Sequence, residues 1–432
     1  RKESSAASDV YKRQRNGHRP FFFYIRLTDI LWEKYMKKIL AVIIIAVVMC
    51  QSVTKGEEPE NLYARAAILI DADSGRILYG KNENDVMPMA STTKIMTLLV
   101  ALKYGNPSDR VTFSSYAAKE PDVQLNALKG EQYTLNELLY LMMLRSYNDV
   151  AMMVAEYVGG VLNGDTSPNN TTEESKEDVK RFIDEMNGYA VKLGLSDTYF
   201  VTPNGLDGED EGRIHSTTAY ELALIAREAL KSEEVIKICT TKSFSYREQN
   251  GKRSGTITNG NRFLDINKNA IGMKTGFTGK AGYCFVGATK VDDRTFISVV
   301  LGCGWPPNKN YKWADTGKLM SYGRDNYFYR NIFEKTYDYK EIKVENGLQE
   351  SVGTYIPFEV NRLLSDEDEV DVIYEIISKA KAPVKKDEQV GKVRIYINGK
   401  LEEELPILTK GSVKEKTFRY FLHLSLIHIS EP

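Results

Sequence analysis

The pattern of hydrophobic and polar positions divides the chain into strand-like and helix-like segments. Residues 66–80 (AAILIDADSGRILYG) predict two strands around a turn at 73–75, because two short apolar runs flank the sequence Asp-Ser-Gly. Apolar residues nearly encircle the segment from Ser91 to Tyr104, which Gly105 ends. A helix that is apolar on all sides is usually buried, so we expect a central helix there.

Further helices follow, and polar segments separate them. Thr134 and Glu137 form a capping-box pattern, in which the two side chains satisfy backbone N–H groups at the start of a helix. The polar stretch 163–178 (NGDTSPNNTTEESKED) predicts a loop. Helices are predicted over 135–144, 150–158, 178–193 and 219–231, with Ser216, Thr217 and Thr218 as N-cap candidates for the last.

Three consecutive strand-like runs predict an antiparallel meander. They cover 270–276, 283–291 and 294–302, and Asp292-Asp293 lies in one of the turns. Strands at both ends of this region, with helices between them, predict an α+β fold in which one antiparallel sheet lies beside a helical cluster. We assign this first domain to residues 60–336.

Short β-like runs alternate with charged turns after Tyr337. The runs are EIKV, TYIPFEV, EVDVIYEI, VGKVRIYINGK and ELPIL. They predict a second, small all-β domain over 338–408.

The two ends of the chain differ from the rest. Met36-Lys37-Lys38 precedes an apolar run of 11 residues, 39–49, which suits the core of a signal peptide. A bilayer span needs about 20 apolar residues, and a buried helix is the remaining alternative. We expect a non-native extension over 1–35, a signal peptide over 36–58, and a truncated, partly non-native tail over 409–432.

Composition adds little about function. The 432 residues carry a formal net charge of −1, with 42% hydrophobic and 27% charged residues, as in ordinary globular proteins. Neither the net charge nor any basic cluster indicates nucleic-acid binding. Outside the signal segment, Cys239, Cys284 and Cys303 remain. Cys284 and Cys303 fall in consecutive strands and could pair, but an odd count fits buried free thiols better.

Ser91 and Lys94 stand three positions apart in the sequence ASTTKIM. Burial shifts a lysine toward its neutral form, which is a base, and a serine hydroxyl is a good nucleophile only when a base takes its proton. Desolvation and a second nearby cation usually supply that shift. The spacing alone is a weak signal, since Ser378 and Lys381 repeat it in the predicted β domain.

Ser146-Tyr147-Asn148 lies in the tight link between two predicted helices, where side chains can project into a cleft. Helix capping is the simpler interpretation of Ser146 and Asn148, because both residue types favour caps. The pattern Ser-x-Asn is also common, and it recurs at 167–169.

Lys274-Thr275-Gly276 ends a predicted strand. Glycine lets a ligand approach the strand closely, and a lysine with the hydroxyls of Thr275 and Thr278 can receive a carboxylate. An ordinary hairpin with a solvated lysine is the alternative.

The three motifs occur in this order in penicillin-binding proteins and class A β-lactamases. Their joint occurrence, each in fitting secondary structure, is much more specific than any one of them. With the stretches NGLDGEDEGRIHSTTAYELALIAREAL and NAIGMKTGFTGKAGYCFVGAT, residues 62–335 resemble the serine-type D-alanyl-D-alanine carboxypeptidases of peptidase family S11, the low-molecular-mass penicillin-binding proteins. Tyr147 departs from the family, which usually has a small residue there.

The resemblance implies a β-lactamase/transpeptidase-like first domain and the family's second domain after residue 337. It implies Ser91 as acyl-enzyme nucleophile, Lys94 as general base and Ser146 as proton relay to the leaving D-alanine. The resemblance also implies substrate-binding roles. Asn148 would hold the substrate amide, and the backbone N–H groups of Ser91 and Phe277 would form the oxyanion hole. The terminal carboxylate would be bound at Lys274, Thr275, Gly276 and Thr278.

The resemblance also implies partners. These are peptidoglycan stem peptides and β-lactam antibiotics, with a role in the cell wall and cell shape for an exported protein. A contact with the outer face of the cytoplasmic membrane is left open, and residues 413–422 (VKEKTFRYFL) are a candidate start for an anchoring amphipathic helix. We expect no cofactor and no metal, since the histidines fall outside any ligand spacing. His215 fits a capping loop better than a catalytic base.

Two other functions remain open at this point. A serine β-lactamase needs a dedicated deacylation base, which in class A is a glutamate with an asparagine four residues later. Glu173 and Glu174 lie in the predicted polar loop, but Glu177 and Asp178 occupy the position of that asparagine. A non-catalytic penicillin-recognising sensor is the second alternative, which the complete motif set disfavours.

Overall fold

The computed structural model describes residues 58–121, 123–169, 171–334 and 336–420. The predicted extension over 1–35 and nearly all of the predicted signal peptide lie outside these residues, as does the end of the predicted tail.

A five-stranded antiparallel sheet forms the centre of the first part of the chain, in the order β2-β1-β11-β10-β9. Strands β1 to β11 cover Ala66–Asp71, Ile77–Lys81, Arg110–Thr112, Gln132–Thr134, Glu209–Asp210, Arg213–Ile214, Ser243–Arg247, Ser254–Thr258, Ala270–Thr278, Gly282–Val291 and Arg294–Leu301. The predicted meander is therefore present, with β10 pairing both β9 and β11. Strand β1 closes the sheet against β11, so segments from both ends of this part meet.

Helices cover both faces of this sheet. Helices α1 to α8 cover Lys94–Tyr104, Leu135–Arg145, Asn148–Leu162, Thr172–Lys192, Ala219–Ala229, Glu233–Thr240, Phe263–Ile266 and Tyr311–Asn326. In β1, Ile68 and Ile70 pack into the larger core with α1, whereas Ala67 and Leu69 pack with α8 on the other face. Both faces of the strand are buried, which explains its continuous apolar sequence.

The start of the central helix differs from the prediction. Residues Ala90–Thr93 form a 3₁₀ turn, and the α-helix begins only at Lys94. In a 3₁₀ turn the side chains at i and i+3 eclipse each other. Ser91 and Lys94 are therefore brought closer together than on a regular α-helix.

The predicted polar loop over 163–178 is wrong in its second half, because α4 begins at Thr172. The cause is a capping box in which Thr171 accepts the Glu174 backbone N–H and the Glu174 carboxylate accepts the Thr171 backbone N–H. The first turns of α4 are mostly polar because they face solvent, so hydrophobic periodicity alone did not reveal them. The capping box at Thr134 and Glu137 is confirmed.

The remaining part is all β. Strands β12 to β19 cover Phe328–Phe333, Tyr337–Glu345, Ser351–Ile356, Val360–Leu364, Val370–Ile376, Lys379–Lys381, Gln389–Ile397 and Lys400–Thr409. Six of them form a sheet in the order β16-β18-β19-β14-β13-β17, and β12 pairs with β15. The predicted run TYIPFEV is split into β14 and β15 at Pro357, which cannot donate to a ladder.

The two parts meet around the turn between β1 and β2. Arg76 donates to the Leu363 backbone carbonyl at 2.8 Å and forms an ion pair with Asp368. Leu363 also packs into the cluster of apolar residues between the sheet and α8. The division at residues 336 and 338 stays a prediction, and β12, which lies before it, pairs with β15, which lies after it.

Three cysteines in the described part of the chain, Cys239, Cys284 and Cys303, are buried free thiols. Across the described residues, no helix has both the length and the apolar character needed to cross a bilayer.

Candidate active site

The turn that carries Ser91 is held in an unusual backbone conformation. Ala90 has φ +50°, and Gly205, at φ +87°, packs directly against the Ala90 carbonyl. A Cβ at position 205 would overlap that carbonyl, so only glycine fits there. The Ser91 hydroxyl is partly exposed and donates to the Asn204 backbone carbonyl at 3.2 Å.

The Lys94 amine is completely buried at the base of this turn. It lies 2.9 Å from the Ser91 hydroxyl oxygen, 2.8 Å from the Asn148 side-chain oxygen and 2.6 Å from the Asn204 carbonyl oxygen. Burial, and then the charge of Lys274, hold the Lys94 pKa well below its usual range. The structure thus brings Ser91, Lys94 and Asn148 together.

Ser146 and Asn148 do not cap the helix that follows them. Tyr147 is at the N-cap position of α3 and makes no side-chain capping bond, whereas Ser146 ends α2 in a left-handed conformation at φ +64°. This conformation aims the Ser146 hydroxyl at Lys274, whose amine donates to it at 2.9 Å. The Asn148 amide nitrogen donates to the Pro121 carbonyl at 3.1 Å.

Lys274 is the second buried amine of the site. Besides Ser146, it donates to the Thr275 backbone carbonyl at 2.9 Å, which fixes the side chain along β9. Burial lowers the Lys274 pKa to about 7, against a smaller opposing influence from Cys239. The alternative of a solvated hairpin lysine is wrong, because only 2% of Lys274 is exposed.

Strand β9 is an edge strand of the sheet and passes close to the Ser91 turn. A Cβ at Gly276 would lie 3.0 Å from the Ser91 backbone nitrogen, so glycine permits this approach. Phe277, the next residue, is 43% exposed, and Thr275 is half-buried. The Thr278 hydroxyl donates to the Asp207 carboxylate at 3.1 Å. A carboxylate of this chain therefore already lies beside that hydroxyl.

The sequence did not single out Asn204 and Glu120. Asn204 accepts the Lys94 and Ser91 hydrogen bonds through its backbone carbonyl, which every residue has, so residue type carries no signal for this contact. Its side-chain nitrogen donates to the Glu120 carboxylate at 2.6 Å. Gly205 beside it was detectable only as part of the stretch that resembles the carboxypeptidases.

His215 lies in the segment between β6 and the N-cap of α5, and its ring is buried against the Ser91 turn. Its Nδ1 accepts the Val201 backbone N–H at 2.9 Å, which leaves the proton on Nε2, 2.8 Å from the Thr93 hydroxyl. Thr93 in turn donates to the Ala90 carbonyl at 2.8 Å. Burial, and then Lys94, lower the His215 pKa to about 3, so the neutral ring supports the turn.

Metal-binding geometry is not found within the described ranges, where no group of three or more His, Cys, Asp or Glu side chains could hold an ion. Glu174, one of the two glutamates considered for a lactamase, is engaged in the capping box of α4.

Comparison with known families gives two matches. A sequence profile described as D-alanyl-D-alanine carboxypeptidase matches residues 53–304. A second profile, for the C-terminal domain of penicillin-binding protein 5, matches residues 327–415.

Two similar proteins are named as D-alanyl-D-alanine carboxypeptidases, in agreement with the first profile. D-alanyl-D-alanine carboxypeptidase DacF of Bacillus subtilis is 31% identical over 367 residues, covering 83% of this chain and 88% of that protein. D-alanyl-D-alanine carboxypeptidase DacC of Escherichia coli is 29% identical over 379 residues, covering 84% of this chain and 87% of that protein. Neither name is that of a β-lactamase, and the matches do not favour that alternative.

Solved structures confirm the predicted fold class. Penicillin-binding protein 5 from Haemophilus influenzae aligns with a TM-score of 0.64 and 27% identity, covering 83% of this chain and 100% of that chain. A mutant of the Streptomyces K15 DD-transpeptidase aligns with a TM-score of 0.54 and 28% identity, covering 62% of this chain and 99% of that chain. The antiparallel sheet with its helical cluster and the all-β part that follows are thus those of the penicillin-binding proteins.

Proposed function

The chain belongs to the serine-type D-alanyl-D-alanine carboxypeptidases of family S11, and from this premise we propose that Ser91 is the nucleophile and Lys94 its general base. Lys94 has three neighbours within hydrogen-bonding distance. Two of them, the Asn148 and Asn204 oxygens, are amide carbonyls that can only accept hydrogen bonds. A neutral Lys94 would use its two N–H groups on these carbonyls, and the Ser91 hydroxyl, which here donates to the Asn204 carbonyl, would turn its proton to the Lys94 lone pair 2.9 Å away. The contact of the buried Lys94 amine with the Ser91 oxygen is the single observation that carries the proposal.

Acylation then proceeds by proton transfers that accompany the exchange of bonds at the substrate carbonyl carbon. Lys94 takes the Ser91 proton while the Ser91 oxygen bonds to the carbonyl carbon of the penultimate D-alanine. The carbon–nitrogen bond to the terminal D-alanine breaks, and Ser146, which accepts a hydrogen bond from Lys274, gives its proton to the leaving amine and takes in its place the proton that Lys94 removed from Ser91. Water later attacks the ester while the neutral Lys94 takes a proton from it, and Lys94 returns that proton to the Ser91 oxygen as the ester bond breaks and the shortened peptide leaves.

Substrate binding is assigned to β9 and its surroundings. Lys274 and the Thr275 hydroxyl would receive the terminal carboxylate, and the N–H groups of Ser91 and Phe277 would stabilise the oxyanion. Gly276 supports this assignment because it lets the strand lie against the Ser91 turn. Thr278 would contribute only by giving up its bond to Asp207.

Asn148 has a double role in the proposal. It would orient the Lys94 amine through its side-chain oxygen and hold the substrate amide through its nitrogen. The second contact would replace the existing bond from that nitrogen to the Pro121 carbonyl.

Penicillin-binding carboxypeptidases act on cell-wall peptidoglycan. For this chain we propose, more finely, removal of the terminal D-alanine from pentapeptide stems by an exported protein, with penicillin as an inhibitor that acylates Ser91. A contact with the outer face of the cytoplasmic membrane through the end of the chain, and a contribution to cell shape, belong to the same proposal.

The test is mass spectrometry with diacetyl-Lys-D-Ala-D-Ala, which reports both turnover and the bond that is cut. The wild-type protein is expected to release one D-alanine, and Ser91→Ala to release none while retaining the wild-type circular-dichroism spectrum. Ser378→Ala is the matched control, because exposed Ser378 has the same spacing to a lysine and should leave turnover unchanged. Turnover by folded Ser91→Ala would move the nucleophile elsewhere.

A further inference from the structure

Glu120 lies beside the site without a role in the reaction described above. Its carboxylate accepts a hydrogen bond of 2.6 Å from the side-chain nitrogen of Asn204, which is only 1% exposed. The Asn204 side-chain oxygen accepts the Leu206 backbone N–H at 3.0 Å. Because that partner is a donor, the orientation of the Asn204 amide is fixed, with its nitrogen toward Glu120.

Asn204 connects this carboxylate to the reacting groups. Its backbone carbonyl accepts from the Lys94 amine at 2.6 Å and from the Ser91 hydroxyl at 3.2 Å. A shift of Asn204 would therefore change the direction of the Lys94 amine relative to Ser91. One residue separates Glu120 from both groups that exchange the proton.

The backbone on both sides of Glu120 is also held in place. It ends a short 3₁₀ turn, and the segment that follows is attached to the start of α3. The Asn148 backbone N–H donates to the Val123 carbonyl at 2.6 Å, and the buried Asp149 carboxylate accepts the Leu125 N–H at 2.9 Å. The carboxylate of Glu120 is therefore part of the folded site and not a freely moving side chain at its edge.

Four titratable groups face the Lys94 amine. They are Lys274 on β9, Asp149 on α3, Glu120 before α2, and His215, which stays neutral. Lys274 disfavours the protonated form of Lys94, whereas Glu120 and Asp149 favour it. Burial raises the pKa of Glu120, and the hydrogen bond from Asn204 and the charge of Lys94 oppose that rise.

We propose that Glu120 is a positioning residue for the carboxypeptidase reaction: it fixes Asn204, and its charge raises the pH above which Lys94 accepts the Ser91 proton. The inference rests on the proposed function, because it requires Lys94 to be the base. Glu120 acts through Asn204 and through its field, without touching the substrate.

The test is the pH dependence of kcat/KM for diacetyl-Lys-D-Ala-D-Ala with the full chain. In the wild-type protein, kcat/KM should fall on the acidic side as Lys94 becomes protonated and on the alkaline side as Lys274 loses its proton. Glu120→Gln keeps an acceptor for Asn204 but removes the charge, which lowers the Lys94 pKa. The acidic limb should move down by about one pH unit, while the alkaline limb stays in place.

Three further variants separate the possible outcomes. Glu173→Gln removes an exposed glutamate outside the site and should leave both limbs unchanged. Glu120→Ala should shift the limb in the same direction and also lower kcat, and it replaces the glutamine variant if that variant does not fold. An acidic limb unmoved in the folded variants, with Lys94→Arg inactive, would overturn the role of Glu120 alone. An active Lys94→Arg would instead overturn the proposed function.

Discussion

At the scale of single residues, the surroundings of Lys94 matter more than its spacing from Ser91. The sequence supplied that spacing, and Ser378 and Lys381 repeat it in an exposed position with no such surroundings. What distinguishes Lys94 is complete burial next to a second amine and two carbonyl oxygens. Burial of the lysine was predictable from the apolar helix, whereas the Asn204 carbonyl was not, because any residue type can supply it.

Replacing Lys94 by arginine should abolish turnover although it keeps the charge. The guanidinium has a pKa above about 12 and no lone pair to accept the Ser91 proton. We expect kcat/KM to fall by about 10³-fold or more, as for loss of a general base together with the misplacement of its neighbours. The measurement is D-alanine release by the folded variant, and a loss of less than tenfold would contradict the base role.

At the scale of elements, hydrophobic periodicity located α1, α2, α3, α5 and the meander, but it did not predict α6 or α8. It failed where polar residues start a helix, at 172–178, because the evidence for that helix start is the capping box of Thr171 and Glu174. It also gave no indication of the 3₁₀ turn before Lys94. That turn depends on a distant partner, Gly205, which packs against the Ala90 carbonyl.

Gly205→Ala should therefore impair the site more than other glycine substitutions. Both Gly205 and Gly212 have a positive φ, but a Cβ at Gly212 meets nothing within 4 Å. Gly212→Ala should cost only about 1–2 kcal/mol of unfolding free energy, with activity unchanged. Gly205→Ala should cost more than this and lower kcat, because the Ser91 turn must move.

The comparison is made by urea unfolding and D-alanine release on both variants. Equal stability and equal activity for the two alanine variants would show that the contact between Gly205 and Ala90 does not hold the nucleophile in place.

At the scale of the whole molecule, the order of α+β and all-β parts was predictable from composition and pattern. The contact between the parts was not, because it depends on tertiary partners far apart in sequence. Arg76 lies in a turn that any hairpin requires, yet it binds Asp368 and the Leu363 carbonyl.

Removal of residues 338–432 should lower the melting temperature while leaving the chemistry in place. The deletion removes Leu363 from the apolar cluster and both partners of Arg76. Every residue assigned to the reaction precedes Tyr337, so kcat/KM for the small peptide should stay within about threefold. A truncated protein that is folded by circular dichroism but inactive would show that the β part helps to build the site.

The most direct test of the central claim, acylation of Ser91 without a dedicated deacylation base, is intact-mass spectrometry after brief exposure to penicillin. Ser91 should open the strained ring and form an ester, and the tethered leaving group should hinder water from reaching that ester. We predict one adduct per chain that persists for minutes, maps to the peptide containing Ser91 and is absent from Ser91→Ala. Rapid penicillin hydrolysis with no trapped adduct, or an adduct at another residue, would contradict the account.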